Sequence, residues 1–231
     1  MSKVFVPTAS ADAWKQFLAE PAKQWKSGFS AKTLAHCWED AAKQPGSLPR
    51  EIAAMLLPHG GDPELLLALP EYKVALPGSS RGESQNDIFA LARVGDRTFA
   101  IMVEGKVREP FGDKIGDWLK GASNGKRERL TYLCQVLGFS QPPPDQTRYQ
   151  LLHRTASAVI EAQRFKTDAA AMIVHSFSRE KLWFNDFVQF SSLFGAGNEV
   201  KASDALVAVR SNGKPTLFLG WASGDYSYLE N

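Results

Sequence analysis

Apolar residues recur at two different periods along this chain, and the change of period predicts its elements. Near the start, Trp14, Phe17 and Leu18, and then Leu34, Cys37, Trp38 and Ala41, follow the i, i+3, i+4, i+7 spacing of helices with one buried face. Ser10 and Ser30 precede these runs as caps. A connector rich in Pro and Gly over 45–61 surrounds a short helix at 50–57, and the leucine-rich 63–69 reads as another helix, ended by Pro70. A strand is expected over 72–76, then a loop to Ser84 in which Arg81, Ser84 and Gln85 stand beside whatever the next strand carries. Over 88–94 and 97–107 the period is lost: Phe89 to Ala92 and Phe99 to Val103 are apolar at consecutive positions, as in strands covered on both faces. Gly95-Asp96 joins them as a two-residue hairpin. Helical periodicity returns up to Leu137 and, after the stiff Gln141-Pro142-Pro143-Pro144, over 148–165. A strand at 169–175, a helix at 185–194 and a hairpin of 205–210 with 216–221 around Asn212-Gly213 complete the pattern.

With 231 residues and 44% hydrophobic content, the chain can bury a full core as a single domain. Its parts are a helical N-terminal extension (1–60), a core (62–177) and a C-terminal helix and hairpin (178–231). The net charge of +2 excludes a strongly basic, sequence-blind nucleic-acid coat, so any such contact must come from a local patch. Cys37 and Cys134 lie far apart, with no CxxC and no histidine at ligand spacing, and read as buried thiols in a reducing compartment. Neither an apolar leader after Met1 nor a run of about 18 apolar residues is present, so a cytoplasmic protein without a membrane partner is expected.

The hairpin also carries the chemistry. Facing residues of an antiparallel pair share one numerical sum, and the sum set by Gly95 and Asp96 pairs Asp87 with Glu104. Period two along the strand turns Glu104 and Lys106 the same way, so three charged groups converge at the end of a buried sheet. Two ionised carboxylates about 5 Å apart repel by roughly 3 kcal/mol at an effective dielectric near 20. Either a divalent cation removes that repulsion or Lys106 alone balances the acids in a structural ion cluster. Oxygen ligands without nearby His or Cys select magnesium or manganese rather than zinc.

Asn86-Asp87, a hairpin, then Glu104-Gly105-Lys106 resembles the signature of the PD-(D/E)xK nuclease superfamily, with Asn86 in the place of its proline. The expected order of helix, three strands, helix and strand is similar to that superfamily's core, and the chain resembles an uncharacterised bacterial branch of it. The resemblance implies an α/β fold with a restriction-endonuclease-like mixed β-sheet core flanked by helices. It implies a metal-dependent phosphodiesterase acting on nucleic acid, with DNA the expected form, in which Asp87, Glu104 and the Gly105 carbonyl hold the metal and Lys106 orients the attacking water. It further implies an accessory acid from a preceding helix, for which Glu39 and Glu64 are the candidates. The alternative is an inactive nuclease-like module that binds nucleic acid, a protein partner or a second copy of itself.

The same Glu-x-Lys spelling occurs at Glu71-Tyr72-Lys73, but no hairpin brings Asp62 opposite Glu71, so Glu71 and Lys73 read as the solvated start of a strand. Lys126 and Arg127 lie in a basic run that fails as a phosphate loop, because only three residues separate its glycines and Arg127 stands where a Ser or Thr is needed. They remain candidate phosphate contacts or a solvated helix face. In the helix over 148–165, Gln150, Arg154, Ser157 and Glu161 form a polar stripe. Gln150 and Arg154 match the superfamily's habit of offering such residues to the site; otherwise Arg154 and Glu161 belong to a surface network. His175, at a strand end, reads as a satisfied structural residue.

Overall fold

The computed structural model describes residues 10–78, 82–201, 204–211 and 215–231. Six strands form one mixed sheet in the order β1-β2-β3-β4-β6-β5. They are β1 (Pro63–Ala75), β2 (Glu83–Val94), β3 (Arg97–Lys106), β4 (Ala169–Ser176), β5 (Leu206–Arg210) and β6 (Thr216–Ser223). β2 runs antiparallel to both β1 and β3; β3, β4 and β6 are mutually parallel, and β5 returns antiparallel on β6. The C-terminal hairpin thus widens the sheet, as its sequence predicts; the Asn212-Gly213 turn itself lies outside the described residues.

Alternation along the strands sorts the core into two layers. Ile88, Ala90, Phe99, Ile101, Val103 and Ile173 face a layer containing α2 (Ser30–Ala41) and α3 (Arg50–Leu56), preceded by a 3₁₀ turn (Ala11–Phe17) and by α1 (Pro21–Gln24). Phe89, Ala100, Met102, Met172, Val174 and Trp221 face α5 (Asn124–Leu137), α6 (Tyr149–Phe165) and α7 (Phe184–Ser192), with the short α4 (Ile115–Trp118) beside them. Both faces are covered, which is why β3 and β4 read as unbroken apolar runs. The helices of the first sixty residues are therefore one layer of the core, packed through Leu34, Ala35, Trp38 and Ile52, rather than an appended lobe.

Three local expectations are overturned. Residues 63–69 are strand, not helix, and Pro70 does not break them off, since β1 pairs with β2 from Pro63↔Val94 to Ala75↔Glu83. Pairing along that whole length overrides the helical preference of the leucines, and Pro70 is tolerated because β1 is an edge strand. Ser30 is not the cap of α2: Phe29 holds that position without a side-chain bond, and Glu109 reaches in from after β3 to accept the Ser30 N–H at 2.8 Å. Ser10 precedes a 3₁₀ turn and makes no side-chain cap bond. Among the described residues no helix is long and apolar enough to cross a membrane.

Candidate functional site

Three adjacent strands bring three acids to one place. β2 and β3 pair from Val94↔Arg97 to Ile88↔Val103, and the next step along that register is Asp87 and Glu104. Asp87 shares a face with Phe89, and Glu104 with Met102, both on the α6 side of the sheet. The Gly105 N–H donates to Asp87 Oδ2 at 2.8 Å, closing the ladder through a side chain. On the other side of β2, the pairs Pro70↔Ile88 and Tyr72↔Asn86 bracket Glu71 opposite Asp87. Glu71 is thus not a solvated strand start but a third acid of the site. Its φ of +52° lies in the left-handed region, a costly conformation for a non-glycine residue in a strand, and its Oε2 accepts from Gln85 Nε2 at 2.7 Å. Lys73 is solvated as expected, 3.6 Å from Glu83. Asn86 is buried and donates to the carbonyls of Tyr72 and Ser84, tying β1 to β2 beneath the acids.

Two cations face these acids. Lys106 Nζ donates to Glu104 Oε1 at 2.5 Å, and Arg154 Nε from α6 donates to Glu104 Oε2 at 2.6 Å. Arg154 Nη2 lies 3.8 Å from Asp87 Oδ1, and Nη1 donates to Ser84 Oγ at 3.4 Å. Glu104 and Lys106 are only 2% and 3% exposed, so their ion pair is screened little by solvent. Burial alone raises the Glu104 carboxyl, but Lys106 and Arg154 outweigh it and hold it down at about 2. Asp87 is pushed up to about 7, first by burial and then by the charge of Glu104. Glu71 is raised to about 8, by burial and then by Asp87. With all three acids ionised the site would hold one more negative charge than Lys106 and Arg154 balance, and Asp87 and Glu71 keep their protons to higher pH instead.

These groups line a cleft of about 520 Å³. Glu71, Gln85, Asp87, Glu104 and Lys106 form its sheet side, Gln150 and Arg154 its α6 side, and residues from Leu18 to Ala31, with Glu109 and Pro110, the opposite wall. Its donors are carboxylate oxygens with no His or Cys among the lining residues, a set suited to a hard divalent cation. A dication would let Asp87 and Glu71 ionise together with Glu104. Gly105 also fits: the Lys106 carbonyl accepts from the Phe177 N–H on the β4 side, so strand alternation turns the Gly105 carbonyl toward β2 and Asp87. Gln150 brings a buried side-chain oxygen that has no hydrogen-bond partner.

Other candidates lie elsewhere. Glu39 accepts from Trp14 Nε1 at 2.7 Å and is absent from the cleft. Glu64 pairs with Arg93 in the β1–β2 ladder, seven residues and therefore roughly 23 Å of strand from Glu71, too far to complete the site. Lys126 donates to the Trp118 carbonyl at 2.8 Å and lies over that ring, while Arg127 is exposed; neither lines the cleft. Glu161 is buried and accepts from Tyr72 Oη at 3.1 Å, so it forms no surface network with Arg154. Arg81 lies outside the described residues. Glu71 was hidden in the sequence because its position depends on an irregular strand, and the one available signal was the repeated Glu-x-Lys spelling.

A larger cavity, of about 910 Å³, opens on the opposite layer beside Cys37 and Glu51. There Cys37, Glu51 and His175 present ligand atoms within 4.8 Å of one another, a grouping that spacing along the chain does not reveal. His175 Nε2 is 2.5 Å from Glu51 Oε1, and Trp38 Nε1 donates to His175 Nδ1 at 3.4 Å. Indole nitrogen can only donate, so the ring proton sits on Nε2 and points at Glu51. A metal at Nε2 would move that proton to Nδ1, against the Trp38 N–H, whereas a ligating histidine needs an acceptor there. Burial and the charge of Glu51 also push the Cys37 thiol far up. His175 thus joins β4 to α2 through Trp38 and to α3 through Glu51 by hydrogen bonds.

A family model described as a domain of unknown function, DUF6946, matches residues 7–226, and the chain belongs to that family. No curated protein and no solved structure matches the chain.

Proposed function

We propose that this member of the DUF6946 family is a metal-dependent phosphodiesterase acting on nucleic acid through Glu71, Asp87, Glu104 and Lys106. The observation that carries this reading is the row of three carboxylates on adjacent strands, with a lysine two residues beyond Glu104 in the same cleft. The order α3, β1, β2, β3, α6, β4 and the spelling Asn86-Asp87…Glu104-Gly105-Lys106 support a restriction-endonuclease-like assignment.

Charge bookkeeping favours a divalent ion and an anionic substrate together. With all groups ionised, Glu71, Asp87 and Glu104 exceed Lys106 and Arg154 by one negative charge; a dication reverses the sign, and one phosphodiester restores neutrality. Asp87, Glu71 and the Gly105 carbonyl are the groups that would hold magnesium or manganese, with Glu104 completing the set from within its ion pairs. Such an ion, when bound, supplies Lewis-acid polarisation of a phosphoryl oxygen and a water of lowered pKa. Lys106 stands where it can orient an attacking water and stabilise charge developing on the phosphate. Arg154 fixes the rotamer of Glu104 through a charge-assisted bond, so in this state it positions a carboxylate rather than a phosphate.

A second reading has its own observation: both oxygens of Glu104 are already bonded to cations, which suits a structural cluster in a catalytically inactive binding module. Incubating the protein with plasmid and with labelled oligonucleotides in magnesium or manganese separates the two. Metal-dependent cleavage that disappears in Asp87→Asn supports the enzyme. Binding without cleavage under every metal supports the module.

A further inference from the structure

We infer that the cleft accepts a single polynucleotide strand, such as a flap, an overhang or a frayed end, and that Phe29 is the platform on which a base stacks. The inference rests on the phosphodiesterase reading and names its substrate class. Its first support is depth. Glu104 and Lys106 are almost inaccessible, and the cleft they line is walled in part by Lys23, Gln24, Phe29 and Ser30. That wall is fixed in place by Glu109. Its Oε1 accepts the Ser30 N–H at 2.8 Å, and its Oε2 accepts those of Val107 and Arg108 at 3.0 and 2.9 Å, clamping the start of α2 to the chain leaving β3.

A duplex carries its phosphates on the outside of a rigid rod whose major groove alone is about 12 Å wide. To bring a scissile phosphate onto groups buried this deeply, the rod itself would have to enter the cleft. A cleft of about 520 Å³ is the size of a small-molecule site, room for a nucleotide or two. A single strand can be threaded through it.

The second support is Phe29 itself. It is one of the large apolar side chains left exposed, at 40%, and it lines this cleft. Lys26, exposed but not itself a lining residue of the cleft, lies 5.8 Å from its ring centroid, so an aromatic ring and a cation occur together. That pairing is what sequence-tolerant single-strand binders use: the ring stacks on any base and the cation attends the backbone. The modest net charge agrees, since one or two captured nucleotides need far fewer phosphate contacts than a coat.

The test compares binding and cleavage of a fluorescent single-stranded oligonucleotide, the blunt duplex of the same sequence and that duplex with an overhang. DNA and RNA versions are both used. Binding is read by anisotropy in calcium, cleavage in magnesium or manganese. The expected result is preference for the single strand and the overhang, a loss of single-strand affinity of at least about fivefold in Phe29→Ala, and recovery in Phe29→Trp. Magnesium-induced thermal stabilisation should be the same in all three proteins. Blunt duplex cut internally as fast as the single strand, or equal affinities of Phe29→Ala and the wild type, would overturn the inference while leaving the phosphodiesterase reading standing. Absence of cleavage on every substrate, with metal binding intact, would instead remove the reading on which it rests.

Discussion

At the scale of single residues, Asp87 and Lys106 carry the sharpest tests. If the acids hold magnesium, the ion should raise the melting temperature, by the equivalent of about 2.7 kcal/mol at a hundredfold excess over its dissociation constant. Asp87→Asn should abolish that rise; an equal rise in both proteins would place the ion elsewhere. Lys106→Ala separates catalysis from architecture. A lysine that only neutralises Glu104 leaves an underpaired buried charge when removed, and the metal-free protein should lose several kcal/mol. A catalytic lysine beside a bound ion should instead give a mutant that stays folded in magnesium, binds oligonucleotide nearly as well as wild type and cleaves it slower by orders of magnitude. Cleavage at the wild-type rate excludes the assigned role. Asp87, Glu104 and Lys106 were legible in the sequence because a two-residue turn fixes every pair above it. Arg154 was legible as a polar residue on a helical stripe, though not its bond to Glu104. Glu71 was not, because its place in the site comes from a left-handed residue inside a strand, and local pattern does not encode such a departure.

At the scale of elements, the hairpin register is what holds the acids together, and it rests on Gly95. This residue has a φ of +57°, and a Cβ added there would lie 2.0 Å from the Gly60 carbonyl oxygen. Both the conformation and the contact require glycine. Gly95→Ala should therefore destabilise the protein by about 2 kcal/mol or more in denaturant melts, and should weaken magnesium stabilisation as the register loosens. If the melting midpoint is unchanged, the turn does not govern the site. Strands β2, β3 and β4 were legible as unbroken apolar runs, and helices α2, α5 and α6 by their helical period. β1 was not. Its leucines favour helix and its proline suggests a break, and only pairing along β2 at the sheet edge decides for strand. Likewise, no local rule announces that α2 is capped by Glu109, which lies 79 positions away in the chain.

At the scale of the whole molecule, the two raised carboxyls couple folding, pH and metal. In an unfolded chain Asp and Glu titrate near 3.9 and 4.3. In the folded protein Asp87 is held up at about 7 and Glu71 at about 8 by burial and mutual repulsion. Between these limits the folded state binds more protons than the unfolded one, so their contribution to stability is fully present below about pH 4 and is lost as pH rises through about 7 and 8. Glu104, held down at about 2, acts in the opposite sense: its contribution is present above the ordinary carboxylate range and is lost as pH falls toward about 2. The metal-free protein should therefore melt at progressively lower temperature as the buffer is taken from about pH 5 to about pH 8.5. A dication must displace the protons from Asp87 and Glu71, so magnesium stabilisation should grow over the same interval, with protons released on binding. Glu71→Gln should flatten the metal-free profile and reduce the number of protons released in calorimetry across buffers of different ionisation enthalpy. A metal-free melting temperature that stays level or rises from pH 5 to 8 would mean that these acids are already neutralised within the fold, and the case for a bound cation would lose its electrostatic basis.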